Sequence, residues 1–247
     1  DPDLYVCNDF QSPDRLWLND GEGRFQLSSK LTMRRTSYFS MGVDFADINR
    51  DGHLDFITVD MLSREHKRRK TQMGDMQTTP FVIGQIKNRP QIMQNTLQLG
   101  RGDGTFAEIA QLAGLRASEW SWSALFMDVD LDGHEDLLVS SGMIRDFMDS
   151  DTNDKIEAMG ERMTGDFARN TADMFPTLAT RNFVFRNQGD LTFKETGQEW
   201  GFKDKAVSGG MVLADFDNDG DLDVVINNTA SEPEVYRNDS SAPRVAV

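Results

Sequence analysis

The sequence predicts an all-β fold, a β-propeller of four-stranded blades, on three observations. An aspartate-rich loop occurs three times, as DINRDGHLDFITVD (residues 47–60), DVDLDGHEDLLVSS (128–141) and DFDNDGDLDVVINN (215–228). A glycine-rich hairpin element also occurs three times, as LWLNDGEGRF (16–25), LQLGRGDGTF (97–106) and VFRNQGDLTF (184–193), with a truncated fourth copy, VYRND, at 235–239. The phenylalanine that closes each hairpin precedes the first aspartate of the next loop by 22 residues every time: Phe25 to Asp47, Phe106 to Asp128, Phe193 to Asp215. Composition bias does not place matched landmarks at equal intervals, whereas a repeat architecture does.

Taken in order, the elements read as follows. Asp3–Val6 (DLYV) matches Asp223–Ile226 (DVVI), so the chain is expected to begin inside an Asp loop, with the first strand of that blade missing. The NDGEGR stretch is a Gly/Asp turn between two apolar runs, which reads as a hairpin, and GRGDGT reads the same way. Val43, Phe45 and Ile48 lead into the first loop and Leu54–Val59 leaves it; Met211–Ala214 and Leu222–Ile226 flank the third. Short apolar runs bounded by turn residues are buried strands. One unit is therefore strand, Asp loop, strand, connection, strand, Gly hairpin, strand. From the first aspartate of a loop to the landmark opening the next hairpin is 53 residues (Asp47 to Gly100), 59 (Asp128 to Asn187) and 23 (Asp215 to Asn238). A unit of about fifty residues, the size of a propeller blade, thus carries insertions at 61–95 and 143–180. The chain ends near Arg244–Val247, where a further strand is expected. The count is four blades over 1–247, the first incomplete, which reads as a single propeller and as a piece of a larger ring. A β-sandwich is the competing fold, and the fixed interval disfavours it.

Composition narrows the function. The 247 residues carry 30 Asp and 11 Glu against 26 Lys plus Arg, for a formal net charge of -15. That excess argues against a nucleic-acid partner, which needs a basic footprint. No stretch approaches the roughly 18 apolar residues of a transmembrane helix. Cys7 is the single cysteine, so an internal disulfide and a cysteine-based zinc site are excluded. Aspartate in such excess over glutamate, with 20 glycines, suggests tight loops with side-chain oxygens turned inward.

The loop spacing suits a hard cation. Calcium takes roughly six to eight oxygens at about 2.3–2.6 Å. Positions 1, 3 and 5 of a tight loop can turn side-chain oxygens to one centre. Glycine at 6 allows the sharp turn, position 7 offers its carbonyl, and aspartate at 9 closes the shell. The first loop supplies Asp47, Asn49, Asp51, the carbonyl of His53, and Asp55. The second supplies Asp128, Asp130, Asp132, the carbonyl of His134, and Asp136. The third supplies Asp215, Asp217, Asp219, the carbonyl of Asp221, and Asp223. All-oxygen ligation with three or four carboxylates selects Ca²⁺ over zinc or copper. An EF-hand shares the opening but requires Glu at position 12 and flanking helices; position 12 here is Thr58, Val139 or Ile226, each in a strand. A cluster that only makes Asx turns is the plainer alternative, but it leaves the repulsion of packed carboxylates unrelieved three times over. Asn49, neutral where the others have aspartate, makes the first site the weakest and the third the tightest.

On these residues the chain resembles FG-GAP/VCBS repeats, as in the integrin α-subunit propeller. It is most similar to bacterial secreted proteins related to cartilage acidic protein, whose propeller is often followed by an ASPIC/UnbV domain. The three Asp loops, the hairpins, AEIAQLAGL (107–115), Trp120–Trp122 and EWGF (199–202) carry the resemblance. It implies structural calcium in the loops, a secreted location (extracellular, periplasmic or outer-surface), and a role in cell adhesion or interaction. Asn49 and Glu135, the latter in place of an apolar residue at position 8, depart from the pattern.

The remaining candidates have plainer readings. His53 and His134 matter for their carbonyls, and their side chains are free. The basic run 64–70 could dock an anionic glycan, although a solvated surface is the simpler account. Trp120 and Trp122 could stack a sugar, although packing between blades is the better fit. Met143, Met148, Met159, Met163 and Met174 read as a helical core or lid. No nucleophile–base pair or phosphate-binding loop is present. Two function classes stay open: a non-enzymatic calcium-stabilised interaction module, and a carbohydrate-active enzyme or glycan-binding accessory domain. Antiparallel alternation puts both insertions at the end of the blades away from the Asp loops. A protein or glycan ligand is expected there, on a face including Lys67, Arg68 and Arg69.

Overall fold

Four antiparallel sheets follow one another along the chain in the computed structural model, which describes residues 1–10, 12–72, 90–160 and 170–241. The first holds β1 (Leu4–Val6), β2 (Arg15–Asn19) and β3 (Phe25–Leu27), paired in that order. A two-residue strand, β4 (Thr36–Ser37), leads into the second sheet. That sheet runs β5 (Gly42–Ala46), β6 (Asp55–Val59), β8 (Thr96–Gly100), β9 (Phe106–Glu108), with helix α1 (His66–Thr71) and strand β7 (Gln91–Ile92) between β6 and β8. A short helix, α2 (Ala110–Ala113), follows. The third sheet runs β10 (Ser121–Met127), β11 (Asp136–Ser141), β13 (Phe183–Asn187), β14 (Phe193–Glu195). Helix α3 (Ser150–Ala158), a 3-10 turn (Ala172–Met174) and strand β12 (Thr180–Arg181) lie between β11 and β13. After β15 (Lys205–Ala206), the last sheet holds β16 (Ser208–Ala214), β17 (Asp223–Asn228) and β18 (Glu234–Tyr236). This is the expected all-β propeller-like succession of blades. The strand anticipated near Arg244–Val247 lies outside the described residues, as do 73–89 of the first insertion and 161–169 of the second, Met163 included.

The strands form where the apolar runs are. β6 and β11 are central in their sheets and buried along their full length. Register is the same in each blade: Ala46 pairs with Asp55, Met127 with Asp136, and Ala214 with Asp223, so each Asp loop closes on its own ninth position. Blades pack face to face. Ile57, Val59 and Leu97 of the second sheet meet Phe126, Leu137 and Phe185 of the third. Leu138 and Val184 of the third meet Val224 and Ile226 of the fourth. β10 lies against β5 on one side and β16 on the other. The approach is close: a Cβ at Gly42 would fall 2.7 Å from the Trp122 carbonyl oxygen.

The two ends of the blades hold different things. At one end, each Asp loop meets the hairpin of its own blade through Asp55, Asp136 and Asp223, whose carboxylates accept from the N–H groups of Gly100, Asn187 and Asn238 at 2.7, 2.8 and 2.8 Å. At the other end, the connections between blades pair with the insertions. β4 runs parallel to β7, and β12 runs antiparallel to β15. The described parts of both insertions therefore sit away from the Asp loops. They are partly helical, as expected, and joined to each other. Arg68 of α1 donates to Asp146 (Nη2–Oδ2 2.9 Å) and pairs with Glu119 at 3.2 Å, all three side chains being nearly buried.

Arg68 therefore faces inward rather than contributing to a ligand surface. Arg69 Nε donates to the Ser63 carbonyl oxygen at 2.7 Å. His66, Lys67 and Lys70 stay exposed. The methionines divide. Met148 is buried with Tyr38, Phe39, Met61 and Trp120, and Met143 packs beside them; Met159 and Met174 are exposed. The tryptophans belong to this core: Trp120 is buried, and Trp122 Nε1 donates to the Gly142 carbonyl oxygen at 2.7 Å. Among the described residues no helix is long and apolar enough to cross a membrane.

Candidate metal centre in the Asp loops

Each loop is built by its own aspartates. The position 1 carboxylate accepts from the backbone N–H groups of positions 5 and 6. These bonds are 3.0 and 2.8 Å for Asp47, 3.0 and 2.8 Å for Asp128, and 3.2 and 3.1 Å for Asp215. The position 5 carboxylate accepts from the N–H of position 7: Asp51 from His53 and Asp132 from His134 at 2.9 Å, and Asp219 from Asp221 at 3.2 Å. The chain can curl this tightly because two residues are left-handed. Position 4 (Arg50, Leu131, Asn218) has φ of 62°, 57° and 61°, and position 6 (Gly52, Gly133, Gly220) has 84°, 89° and 94°. The second conformation favours glycine, which has no Cβ to clash.

Position 9 anchors the loop to the sheet. Besides its hairpin bond, each of these carboxylates accepts from the N–H of position 2, namely Ile48, Val129 or Phe216, at 3.0, 3.1 and 2.9 Å. Asp55, Asp136 and Asp223 are all buried. Burial pushes Asp55 up to about 6, with the charges of Asp51 and Asp47 adding to it. Burial likewise pushes Asp136 up to about 7, helped by Asp130 and Asp132. In both cases the backbone donors only partly offset the cost.

The carboxylates converge differently in the three loops. Asp128, Asp130 and Asp136 bring one oxygen each within 4.8 Å of one another, and so do Asp215, Asp217 and Asp223. Both trios could hold a metal ion. The fifth-position Asp132 and Asp219 stand outside them. In the first loop the described residues form no such trio. There Asn49 Nδ2 donates to Asp51 Oδ2 at 2.9 Å, and this bond, with the His53 N–H, lowers the Asp51 pKa. His53 and His134 are not free: each ring lies on a glycine of the neighbouring hairpin. A Cβ at Gly102 would collide with the His53 ring, and one at Gly189 would meet His134 Nε2 at 3.3 Å. Asp221, at the same loop position, is buried.

The donors suit a hard cation. They are all oxygens, and Asp130 Oδ1 is buried with no hydrogen-bond partner among the described residues. An acceptor oxygen left so, on a residue of a carboxylate trio, fits a cation as its partner.

The sequence reading missed Arg186. Its Nε donates to Asp130 Oδ2 at 2.6 Å and its Nη2 to Asp132 Oδ2 at 3.0 Å. Burial works against its charge, but Asp130 and Asp132 outweigh burial and raise its pKa. The available signal was a departure inside the hairpin repeat, Arg in VFRN where LQLG has Leu99. Also missed was a polar latch at the far end of the first three blades. The residue before the third strand of the unit accepts from an N–H at or just past the end of the second: Asp14 from Asn8 at 2.7 Å, Asn95 from Asp60 at 2.8 Å, and Asn182 from Ser141 at 3.0 Å.

Residues 1–58, 81–139 and 169–226 match the FG-GAP-like repeat family, and each stretch holds one hairpin and one complete Asp loop 22 residues beyond it. No curated protein matches the chain.

Proposed function

The chain belongs to the FG-GAP-like repeat family, and from that premise we propose that it is a calcium-stabilised extracellular interaction module without catalytic activity. The observation that carries this is the pair of carboxylate trios, Asp128–Asp130–Asp136 and Asp215–Asp217–Asp223, set in loops of one geometry. Asp132 and the His134 carbonyl complete the second donor set, and Asp219 and the Asp221 carbonyl the third. Asp47, Asn49, Asp51, Asp55 and the His53 carbonyl form the first and weakest. Calcium, when bound, supplies the charge that offsets carboxylate repulsion and ties each loop to its strand. Its role is structural, because every position 9 carboxylate also holds the loop to the hairpin.

Ligand binding belongs to the opposite end. Long connections on a rigid scaffold are where recognition concentrates, and the second insertion exposes Ile144, Phe147, Met159 and Met174 there. A protein ligand fits this apolar group better than a glycan does, since Trp120 and Trp122 are used in the core.

Melting curves in excess calcium and in chelator test the calcium reading. The calcium-loaded protein is expected to melt clearly higher, and superimposed curves would refute it. For the ligand face, replacing Ile144 and Phe147 by serine should abolish ligand capture while leaving the calcium-dependent melting shift intact.

A further inference from the structure

Arg68 binds both Glu119 and Asp146, and three arginines around it are held by neutral oxygens instead. Arg64 Nη1 donates to the Ala117 carbonyl oxygen at 3.4 Å, Arg69 Nε to that of Ser63 at 2.7 Å, and Arg116 Nη1 to Gln111 Oε1 at 2.7 Å. The Arg64 guanidinium also lies 5.7 and 5.2 Å from the ring centroids of Phe183 and Phe185. Arg64 is exposed, and Arg69 and Arg116 are half-buried. Among the described residues none of these three forms an ion pair.

The three come from two stretches of chain, one at α1 and one after α2, so the fold makes the cluster and the basic run alone does not. With Arg68, four guanidinium groups meet two carboxylates, and two positive charges stay uncompensated there in a chain of net charge -15. Burial, then Arg116 and Arg64, work against the charge of Arg69, and Glu119 offsets only part of this. A guanidinium nevertheless keeps its proton in a protein, and its planar donors suit two carboxylate oxygens at once. The surroundings indicate which anion fits. Protein interfaces favour arginine and apolar groups together and are poor in lysine at their centre. Ile144 and Phe147 are exposed and flank Asp146 in the sequence, and the Arg68–Asp146 pair brings that segment against α1. Charge beside apolar surface suits a polypeptide that carries both kinds of side chain, whereas an acidic polysaccharide would need the charge alone.

We propose that Arg64, Arg69 and Arg116 form an anion-recognition patch that binds the carboxylates of an acidic segment of the protein ligand. This rests on the reading of the insertion face as the ligand surface, and it names the chemistry of the partner. Arg68 is the fixed point of the patch: by taking both buried acids it leaves its three neighbours to carboxylates from outside.

Fluorescence anisotropy with the full chain tests this, using a labelled hexaglutamate peptide and the same peptide extended by two leucines. Both should bind, and less tightly at about 0.15 M salt than at about 0.05 M, because exposed charges are screened. The double variant Arg64→Gln/Arg116→Gln should weaken both peptides by about tenfold, the scale of two exposed ion pairs. Arg69→Gln should act in the same direction, and Arg69→Lys, which keeps the charge, should lose less. Melting curves show whether each variant is folded; if Arg69→Gln is not, the double variant carries the test. Ile144→Ser/Phe147→Ser should remove only the gain from the leucines. Binding should be the same in calcium and in chelator, since the patch lies away from the Asp loops. Binding that required calcium would place the peptide on those loops and overturn the proposal. So would the absence of peptide binding, or equal binding by wild type and the arginine variants. Heparin bound where hexaglutamate is not would make the patch a polysaccharide site and overturn it too. A leucine gain lost in Ile144→Ser/Phe147→Ser, with the arginine variants unchanged, would remove the patch and keep the ligand face. Loss in the arginine variants with no gain from leucine would keep the patch and remove the apolar part of that face.

Discussion

At one end of the blades, Asp55, Asp136 and Asp223 make the same two backbone hydrogen bonds three times over. Five residues further along each strand, at the other end, the side chains of Asp60, Ser141 and Asn228 make three different sets. Asp60 is fully buried and accepts from the Ser37 hydroxyl and from the N–H groups of Tyr38, Phe39 and Met61, at 3.1, 3.0 and 2.5 Å for the last three. Ser141 shares a hydrogen bond with Thr180 and donates to the Arg181 carbonyl oxygen. Asn228 accepts from Ser208 and donates to the Glu232 carbonyl oxygen. A loop whose carboxylates must converge on one centre cannot exchange one of them freely. The far end only has to satisfy its buried donors and acceptors, and many side chains do that. Beyond the shared latch to Asp14, Asn95 and Asn182, varied side-chain contacts at the far end and repeated ones at the loop end are what unshared connections and a shared ion would produce.

Chelation should have the largest effect on this contrast. Each site filled at 100 times its dissociation constant adds about 2.7 kcal/mol, so removing calcium should cost several kcal/mol by thermal or denaturant melting. The loss should come from the loop end alone. Hydrogen exchange in chelator should rise in Asp47–Asp55, Asp128–Asp136 and Asp215–Asp223 before it rises at Asp60 or Asn95. A uniform rise would mean that the two ends are one cooperative unit. Next in size is Asp60→Ala. It strands three backbone donors and a hydroxyl in a buried site, at a cost of about 3–5 kcal/mol. That loss should be the same with and without calcium. A loss confined to the calcium-loaded protein would show that the ends are coupled.

The same contrast explains what could be read in advance. The loops were legible because each donor set lies within nine consecutive residues, with glycine at the sharp turn and a constant interval to the hairpin. Asn49 was legible as a departure, and the first loop is the one without a carboxylate trio. The far end was not legible, because its contacts join residues that spacing does not relate. Asp60 meets Ser37 23 residues back, and Arg68 meets Asp146 78 residues on. Arg186 reaches Asp130 across 56 residues for the same reason. Arg68 was misread as surface because a run of basic residues looks solvated until two buried acids from elsewhere are placed against one of them.

Within the loop end, a reciprocal swap sharpens the comparison between first and third loops. Asn49→Asp should tighten the first site and Asp217→Asn should weaken the third, each by about tenfold for one charge. Calcium titration reads both. If neither moved, ligand charge at position 3 would not be what ranks the sites.

The last contrast separates the two ends by the sign of a pH dependence. Asp60 is pushed up to about 6, burial being the main cause and the hydroxyl and N–H donors offsetting only part of it. In the unfolded chain an aspartate titrates near pH 3.9. Between those values the folded protein binds more protons at Asp60 than the unfolded one, so stability falls as pH rises. The contribution is fully present below about pH 4 and is lost by the time pH has passed through about 6, with a slope of at most about 1.4 kcal/mol per pH unit. Calcium ligation has the opposite sign, because protons compete with the metal for the loop carboxylates. In chelator, wild type should therefore lose stability from pH 4 to 7 more steeply than Asp60→Asn, which removes the titrating group. In saturating calcium, the metal-dependent increment should grow over the same range. If wild type and Asp60→Asn had parallel pH profiles in chelator, Asp60 would be ionised throughout, and its four donors would outweigh its burial.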